Sequence, residues 1–341
     1  MAAIFDGAEI RRNWQVYREP GEVAEVRILN AGKWLGTVSG YFDNEEDFTK
    51  IVSELASDPD HPVPAIYFTI NPVSPDLLAR AANRTIAKAK NTTSDADIVA
   101  LHWLPGDLDS KRPAGISSTD EEHDAAIAKA YEVRGRLIEL GWPKNAFVLA
   151  DSGNGAHLDT KINLQNVPGD VALVKRCLEA MDFLFSDETI HVDTTSQNPA
   201  RIWKVRGTMA RKGDSIQERP HRLSRFLEVP ETLETVTREQ LEALAAMLPE
   251  PEKISQPSQS TGGPAFDPVA YCQAHNLQVH HTKNWTDPRG IKCTVAVLEQ
   301  CVFNPDHHKS AVIIGWPNGM RSYRCRHNSC LGKKWKDAKA I

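Results

Sequence analysis

Asp107 and Asp109, two carboxylates two residues apart, end an apolar run and are the first candidates for chemistry in this chain. If Ile98 to Asp109 is a strand, its period of two puts both acids on one face and turns Leu108 into the core. Carboxylates so close repel unless a cation lies between them, and Mg2+ or Mn2+ suits such hard oxygen ligands. An isolated D-x-D also occurs as a plain polar strand end, so the remainder of the chain has to decide.

Two later segments bear on the pair. Asp151-Ser152-Gly153-Asn154-Gly155-Ala156-His157 reads as a glycine-rich turn between strands, with a histidine just beyond it. Such a turn either exposes backbone N–H groups that cradle phosphates or is an ordinary Asn-Gly hairpin. Ile190-His191-Val192-Asp193 ends another apolar strand on a third carboxylate, and Asn198-Pro199-Ala200-Arg201-Ile202 opens a basic zone. Arg201 to Arg225 carry eight Lys/Arg against two acids, inside a chain of net charge −5. Carboxylates for metals, a histidine and amides for phosphates, and cations beside them are the parts phosphoryl transfer requires.

A second constellation lies near the C-terminus. Cys301-x5-His307 followed by Cys325-x4-Cys330 offers three thiolates and an imidazole, a donor set that tetrahedral Zn2+ favours. His308 competes with His307 for the histidine place, and His327 is a weaker candidate. One structural zinc would supply so short a module with folding energy. Arg321, Tyr323, Arg324, Arg326, Lys333, Lys334 and Trp335 mix cations with aromatics, which suits single-stranded template or nucleotide, although Trp335 also fits as packing for the zinc loops. Cys177, alone in an apolar helical pattern, reads as a core residue.

The elements that must position these residues alternate. Helices are expected over Asn44 to Ala56, Ser74 to Ala89, Ser118 to Leu140 and Gly169 to Phe185, with two more in Glu231 to Met247. Strands are expected over Ala65 to Ile70, Ile98 to Asp109, Asn145 to Asp151, His157 to Leu164, Thr189 to Asp193 and Arg201 to Val205. Pro105-Gly106 interrupts one of them; proline removes a ladder donor, so the strand should bulge or lie at an edge there. This mixture of hairpins and helices is α+β around a largely antiparallel sheet.

At 341 residues the chain has room for one large domain and a small module. Pro249 to Pro264, rich in Pro, Ser, Gln and Gly, reads as a flexible linker. The domains are therefore expected at 1–248 and 265–341, with 249–264 between them. No signal peptide or membrane span is visible, which makes the cytoplasm the expected location and excludes a membrane partner.

The ordered motifs resemble those of the archaeo-eukaryotic primase superfamily, in its primase-polymerase branch of plasmid, phage and mobile-element replication proteins. The resemblance is carried by Asp107-x-Asp109, by Gly155-Ala156-His157 and by Val192-Asp193. The flanking Arg112-Pro113-Ala114-Gly115-Ile116-Ser117-Ser118-Thr119, Asn198 to Ile202, Arg206-Gly207-Thr208 and Arg211-Lys212-Gly213-Asp214 also match. It implies an RRM-like catalytic core in which Asp107, Asp109 and Asp193 hold two divalent ions and His157 contacts the incoming nucleotide's phosphates. Ser152, Asn154, Arg201 and Lys212 follow as weaker candidates for nucleotide or template contacts. The tail resembles the small zinc-binding module of phage and plasmid primases.

The implied activity is DNA-dependent primer synthesis and polymerisation from nucleoside triphosphates on single-stranded DNA. Two other classes compete. One is a zinc-containing nucleic-acid-binding replication protein without catalysis, against which the full set of key residues counts. The other is a paired-histidine initiator nuclease, but His280 and His281 are adjacent on a strand and face opposite ways. No G-x-x-x-x-G-K-[ST] loop is present, so a helicase would be a separate partner.

Overall fold

The computed structural model describes residues 4–58, 61–249, 265–287, 289–325, 327–330 and 332–339. The expected linker, apart from Pro249, lies outside the described residues. Two units emerge, Met1–Glu242 and Ala243–Ile341.

The first unit opens with α1 (Gly7–Tyr17), whose cap Asp6 accepts from the N–H groups of Ala8 and Glu9. Then come β1 (Ala24–Ile28), α2 (Gly32–Leu35), β2 (Val38–Phe42), α3 (Glu45–Ser57), β3 (Tyr67–Thr69) and β4 (Thr85–Ile86). Next are β5 (Ala100–Ser110), α4 (Asp120–Glu139), β6 (Phe147–Asp151), β7 (Ala156–Gln165), α5 (Pro168–Phe185) and β8 (Ile190–Val192). The last are β9 (Ile202–Lys204), β10 (Met209–Ala210), β11 (Arg222–Leu223), β12 (Arg225–Glu228) and α6 (Arg238–Ala245), which runs across the boundary.

Two five-stranded sheets result, ordered β4-β2-β1-β3-β9 and β12-β6-β7-β5-β8, with antiparallel pairing throughout. In the second, β5-α4-β6-β7-α5-β8 is a βαββαβ unit with β5 between β7 and β8, the RRM-like connection. The expected α+β class with an antiparallel sheet is what the chain adopts. Helix α4 starts where a cap was expected: Thr119 and Glu122 form a reciprocal capping box.

Several expectations fail locally. The helix expected over Ser74 to Ala89 is only a 3-10 segment, Pro75–Arg80, followed by β4. Asn83 takes a left-handed φ of 51°, and its N–H goes to the Tyr41 carbonyl at 2.7 Å, so the segment serves as an edge for β2. Glu231 to Met247 yields one short helix, α6, and not two. Strand β5 does not bulge at Pro105-Gly106, which pair in register with Asp159 and Leu158. It is an edge there on one side, because β8 reaches only Leu108, Asp109 and Ser110. Asp107 offers its carbonyl to Asp193 on that side, so by alternation the N–H that Pro105 lacks would point past the end of β8.

Between the two sheets lies a core that includes Ile10, Trp14, Phe42, Phe48, Phe68, Trp103 and Trp203. One polar knot is buried in it. The Asp159 carboxylate, from β7, accepts from the Tyr17 hydroxyl of α1, from Trp203 Nε1 of β9 at 2.9 Å and from Arg206 at 3.3 Å. Neither Asp159 nor Arg206 has any solvent exposure. Burial pushes the Asp159 carboxyl up, but only to about 6, since its cationic and hydrogen-bonding partners favour the charge.

The second unit is a four-stranded meander of β13 (Val279–Thr286), β14 (Lys292–Gln300), β15 (His308–Gly315) and β16 (Arg321–Cys325), with α7 (Pro268–Ala274) and α8 (Trp335–Ala338). No helix among the described residues is long and apolar enough to cross a membrane.

Removing one partner from a buried ion pair leaves the other charge uncompensated. Asp159→Ala is expected to lower unfolding stability by about 3–5 kcal/mol at pH 7.5 in a urea titration. A loss below about 1 kcal/mol would mean that the knot does not hold the sheets together.

Candidate functional site

Strand alternation puts Trp103, Asp107 and Asp109 on the face of the second sheet that looks toward the first, while Gly106 and Leu108 look toward α5. At Gly106 a Cβ would come 2.7 Å from the Leu158 carbonyl and 3.5 Å from Met181, so the close approach of β7 and α5 requires glycine. Asp107 pairs with His157 across the β5–β7 ladder, and the Asp193 N–H bonds the Asp107 carbonyl at 2.8 Å. Three acids and a histidine far apart in sequence thus meet through two strand pairings.

The acids keep between a fifth and a quarter of their side chains exposed: 22% for Asp107, 24% for Asp109 and 24% for Asp193. Burial, then the charges of Asp109 and Asp193, push the Asp107 carboxyl up to about 8. That is the electrostatic signature of a place where negative charge accumulates and a cation would be welcome. Asp109 is also paired with Arg112 at 3.3 Å, and Asp193 with Arg201 at 3.2 Å. Asp193 additionally caps a 3-10 turn, accepting from the Thr195 N–H and hydroxyl, both at 2.8 Å.

His157 is fixed from behind. Arg206 donates to its Nδ1 at 2.8 Å, and the Trp203 ring lies 4.0 Å away, tilted by 33°. An arginine can only donate, so Nδ1 must accept and the ring proton falls on Nε2. Nε2 faces Asp107, 3.7 Å from its Oδ1. Burial and then the positive charges of Arg206, Arg201, Lys212 and Lys204 hold the imidazole well below its usual range. The result is a neutral N–H donor turned toward the acids.

A cavity of about 430 Å³ opens in front of these groups. Asp107, Asp109, His157, Ser152 and Asn154 line one side; Tyr67, Arg201, Trp203 and Lys204 of the first sheet, with Arg211 and Lys212, line the other. Asp193 stands behind this lining, bound to the Asp107 backbone. The basic zone is therefore divided. Arg201, Lys204, Arg211 and Lys212 reach the cavity, whereas Arg219 and Arg222 bind Glu122 and Asp120 at the start of α4.

The turn at 152–155 does not offer free amides. The N–H of Ser152 bonds the Gly155 carbonyl at 3.0 Å, that of Gly153 bonds Asp151 at 2.6 Å, and that of Gly155 bonds Ser152 Oγ at 3.1 Å. It is a self-satisfied hairpin turn, and the phosphate cradle expected of its backbone is absent. Asn154 is likewise occupied, accepting from the Ser118 N–H at 3.0 Å. Gly155 has a different role: a Cβ there would strike the Leu108 carbonyl and lie 2.5 Å from Asp109 Oδ1. The residue two before His157 must be small because Asp109 occupies that space.

Sequence reasoning missed Asp159, Arg206, Trp203, Lys204 and Tyr67. The signal for Asp159 was available, since His157-x-Asp159 on a strand shares a face by the same period of two. Arg206 was counted in the basic zone and in a flanking motif, but nothing in the sequence marked it as the partner of His157 and Asp159.

In the second unit Cys301, His307, Cys325 and Cys330 are all buried, and their ligand atoms lie within 4.8 Å of one another. Among the described residues this is the only such group. Cys301 and Cys330 sulfurs are 3.7 Å apart, and His307 Nδ1 is 3.4 and 3.6 Å from the sulfurs of Cys330 and Cys325. Zinc bonds of tetrahedral geometry place two sulfurs about 3.8 Å apart and a sulfur and nitrogen about 3.6 Å apart. The cluster fits a structural zinc. His308 is not part of it; it is exposed on β15 opposite Gln300. His327 stacks on the His307 ring at 3.8 Å.

The aromatic residues of the tail are packing groups. Tyr323 is buried with its hydroxyl 3.0 Å from Cys301 Sγ, and Trp335 is buried against Phe266 and Tyr271. Neither offers a face to a base; Arg326 lies outside the described residues.

No family model matches the chain, and no curated protein matches it. Among solved structures it is similar to the crystal structure of primase RepB', with 10% sequence identity and a TM-score of 0.38. That likeness covers 70% of this chain and 62% of the other, so this chain spans less than two thirds of it.

The cysteine cluster leads to a direct expectation. Purified protein should carry one zinc per chain by elemental analysis, and Cys330→Ser should lose it and expose the second unit to limited proteolysis. Metal-free protein with an equally resistant second unit would contradict the assignment.

Proposed function

We propose that the chain is a DNA-dependent primase and DNA polymerase, a nucleotidyltransferase that builds primers on single-stranded DNA from nucleoside triphosphates. The observation that carries this reading is the convergence of Asp107, Asp109 and Asp193 from neighbouring strands beside a neutral, N–H-donating His157. The donor set fits Mg2+ or Mn2+: hard carboxylate oxygens, partly exposed, with Asp107 raised by burial and then by its acidic neighbours. Two such ions held by the three acids would activate a primer 3′-hydroxyl and stabilise the departing pyrophosphate.

The protein's own residues supply the remainder. His157, kept neutral by burial and by Arg206, would donate Nε2–H to a phosphate oxygen without adding a mobile charge. Arg201 and Lys212 on the opposite side would neutralise the triphosphate, with Ser152 and Asn154 bounding the pocket. Tyr67, half-buried in the same wall, gives the nucleotide an aromatic surface, while Trp203 is buried against the His157 ring. A helicase, if the process needs one, is a separate partner.

Alanine at both Asp107 and Asp109 is expected to abolish nucleotide incorporation on primer-free single-stranded DNA with Mg2+ or Mn2+, assayed with ribo- and deoxynucleotide pools separately. Undiminished synthesis by that variant would overturn the proposal. Wild-type protein that binds template but incorporates nothing with any metal would favour the non-catalytic binding reading.

A further inference from the structure

Eight tryptophans occur in the chain, and seven of them are no more than 9% exposed; Trp34 is 76% exposed. An isolated exposed leucine needs no explanation, but a tryptophan presented to solvent does. Trp34 lies on α2, a single turn inside the connection between β1 and β2. Asn30, Gly32 and Gly36 take left-handed φ values of 53°, 86° and 59°, which fold the connection back on itself. Its first residues, Leu29 and Asn30, are part of the wall of the carboxylate cavity. Its far end is tied to the segment after β4, through Lys88 N–H to the Leu35 carbonyl at 2.8 Å and Ala89 N–H to the Thr37 carbonyl at 2.9 Å.

Charge is one-sided on this surface. Residues 28–42 and 77–93 contain no Asp or Glu, in a chain whose net charge is −5. Lys33, Arg84, Lys88 and Lys90 are exposed there. None of the four takes part in an ion pair among the described residues. Ile86 and Leu29, on the same two segments, are exposed as well. A flat aromatic face on a connection whose bonded neighbour segment carries exposed cations is complementary to a polyanion that carries stackable rings, which describes a single strand; a duplex hides its base faces.

We propose that Trp34, with Lys33, Arg84, Lys88 and Lys90, forms a docking platform on which a base of single-stranded DNA stacks as the strand approaches the carboxylate cavity. The role of that strand as template rests on the primase reading above; the binding itself does not. Stacking anchors one base, and the lysines and arginine hold the phosphates on either side of it.

The test uses full-length, zinc-loaded protein and a fluorescently labelled oligo(dT), with affinity read by anisotropy over a range of salt. Trp34→Ala should weaken binding about tenfold with an unchanged salt slope, and Trp34→Phe should restore most of the loss. The triple variant Lys33→Ala, Lys88→Ala, Lys90→Ala should make the slope of log affinity against log salt shallower by about 2. Trp34→Ala binding within twofold of wild type would overturn the platform. So would a Trp34→Ala variant with unchanged DNA affinity but lost self-association in sedimentation, which would assign the surface to a second copy. The Asp107→Ala, Asp109→Ala variant separates the two proposals. Trp34-dependent binding by a wild type that incorporates nothing leaves the platform standing and removes the polymerase reading alone.

Discussion

The first unit depends on one buried ion pair, Asp159 with Arg206, placed where its two sheets meet. Water is excluded from both groups, so each is tolerable only in the presence of the other and of further hydrogen bonds. Those bonds reach Tyr17 on α1 and Trp203 on β9, which ties the helix and the first sheet to β7 of the second. The same Arg206 then presses on His157 Nδ1. A single knot therefore sets the spacing of the cavity walls and decides which nitrogen of the site histidine carries its proton. Buried polar networks of this kind define one arrangement by making every alternative leave a charge unpaired.

In front of the knot, charges of opposite sign face one another across the cavity. Asp107 and Asp109, from β5, line one side, and Lys204, Arg211 and Lys212 line the other. Part of the charge is already paired, Asp109 with Arg112 and Asp193, at the end of β8, with Arg201. Asp107 is pushed up to about 8 even with Lys212 and Arg201 nearby, and Lys204 is held well below its usual range by burial and by Arg206 and Arg211. On the proposed reading, a ligand that is both a metal complex and a polyphosphate would relieve both sides at once.

Much of the site was legible in the sequence because strands have a period of two and apolar runs ending in acids are conspicuous. Asp107, Asp109, His157 and the cysteine spacing could be singled out as candidates on that basis, but the roles given to the acids and to His157 came with the family resemblance. The first sheet was only partly legible: β3 and β9 fall within expected strands, but β1 and β2 are short and almost wholly buried on both faces, so they show no alternation. The helix expected at Ser74 to Ala89 failed because Asn83 and the edge of β2 outweigh helical propensity. The Asn-Gly turn was read with two outcomes, and local hydrogen bonding by Asp151 and Ser152 chose the hairpin. Tyr323 and Trp335 illustrate a different limit: composition gives an aromatic and a cation side by side, but only packing says whether the ring faces a ligand or a core.

The second unit is organised on a smaller scale by its thiolates, whose sulfur–sulfur and sulfur–nitrogen spacings already match a tetrahedral ion. Of the three carboxylates, Asp109 is paired with Arg112 and Asp193 with Arg201. The central claim is that these acids nonetheless form a divalent-metal site for a triphosphate. Anomalous diffraction from crystals grown with Mn2+ and a non-hydrolysable nucleoside triphosphate tests it most directly. The account predicts manganese peaks within coordination distance of Asp107, Asp109 and Asp193, with His157 Nε2 turned to a phosphate. Nucleotide bound in the cavity with no manganese at these carboxylates would contradict it.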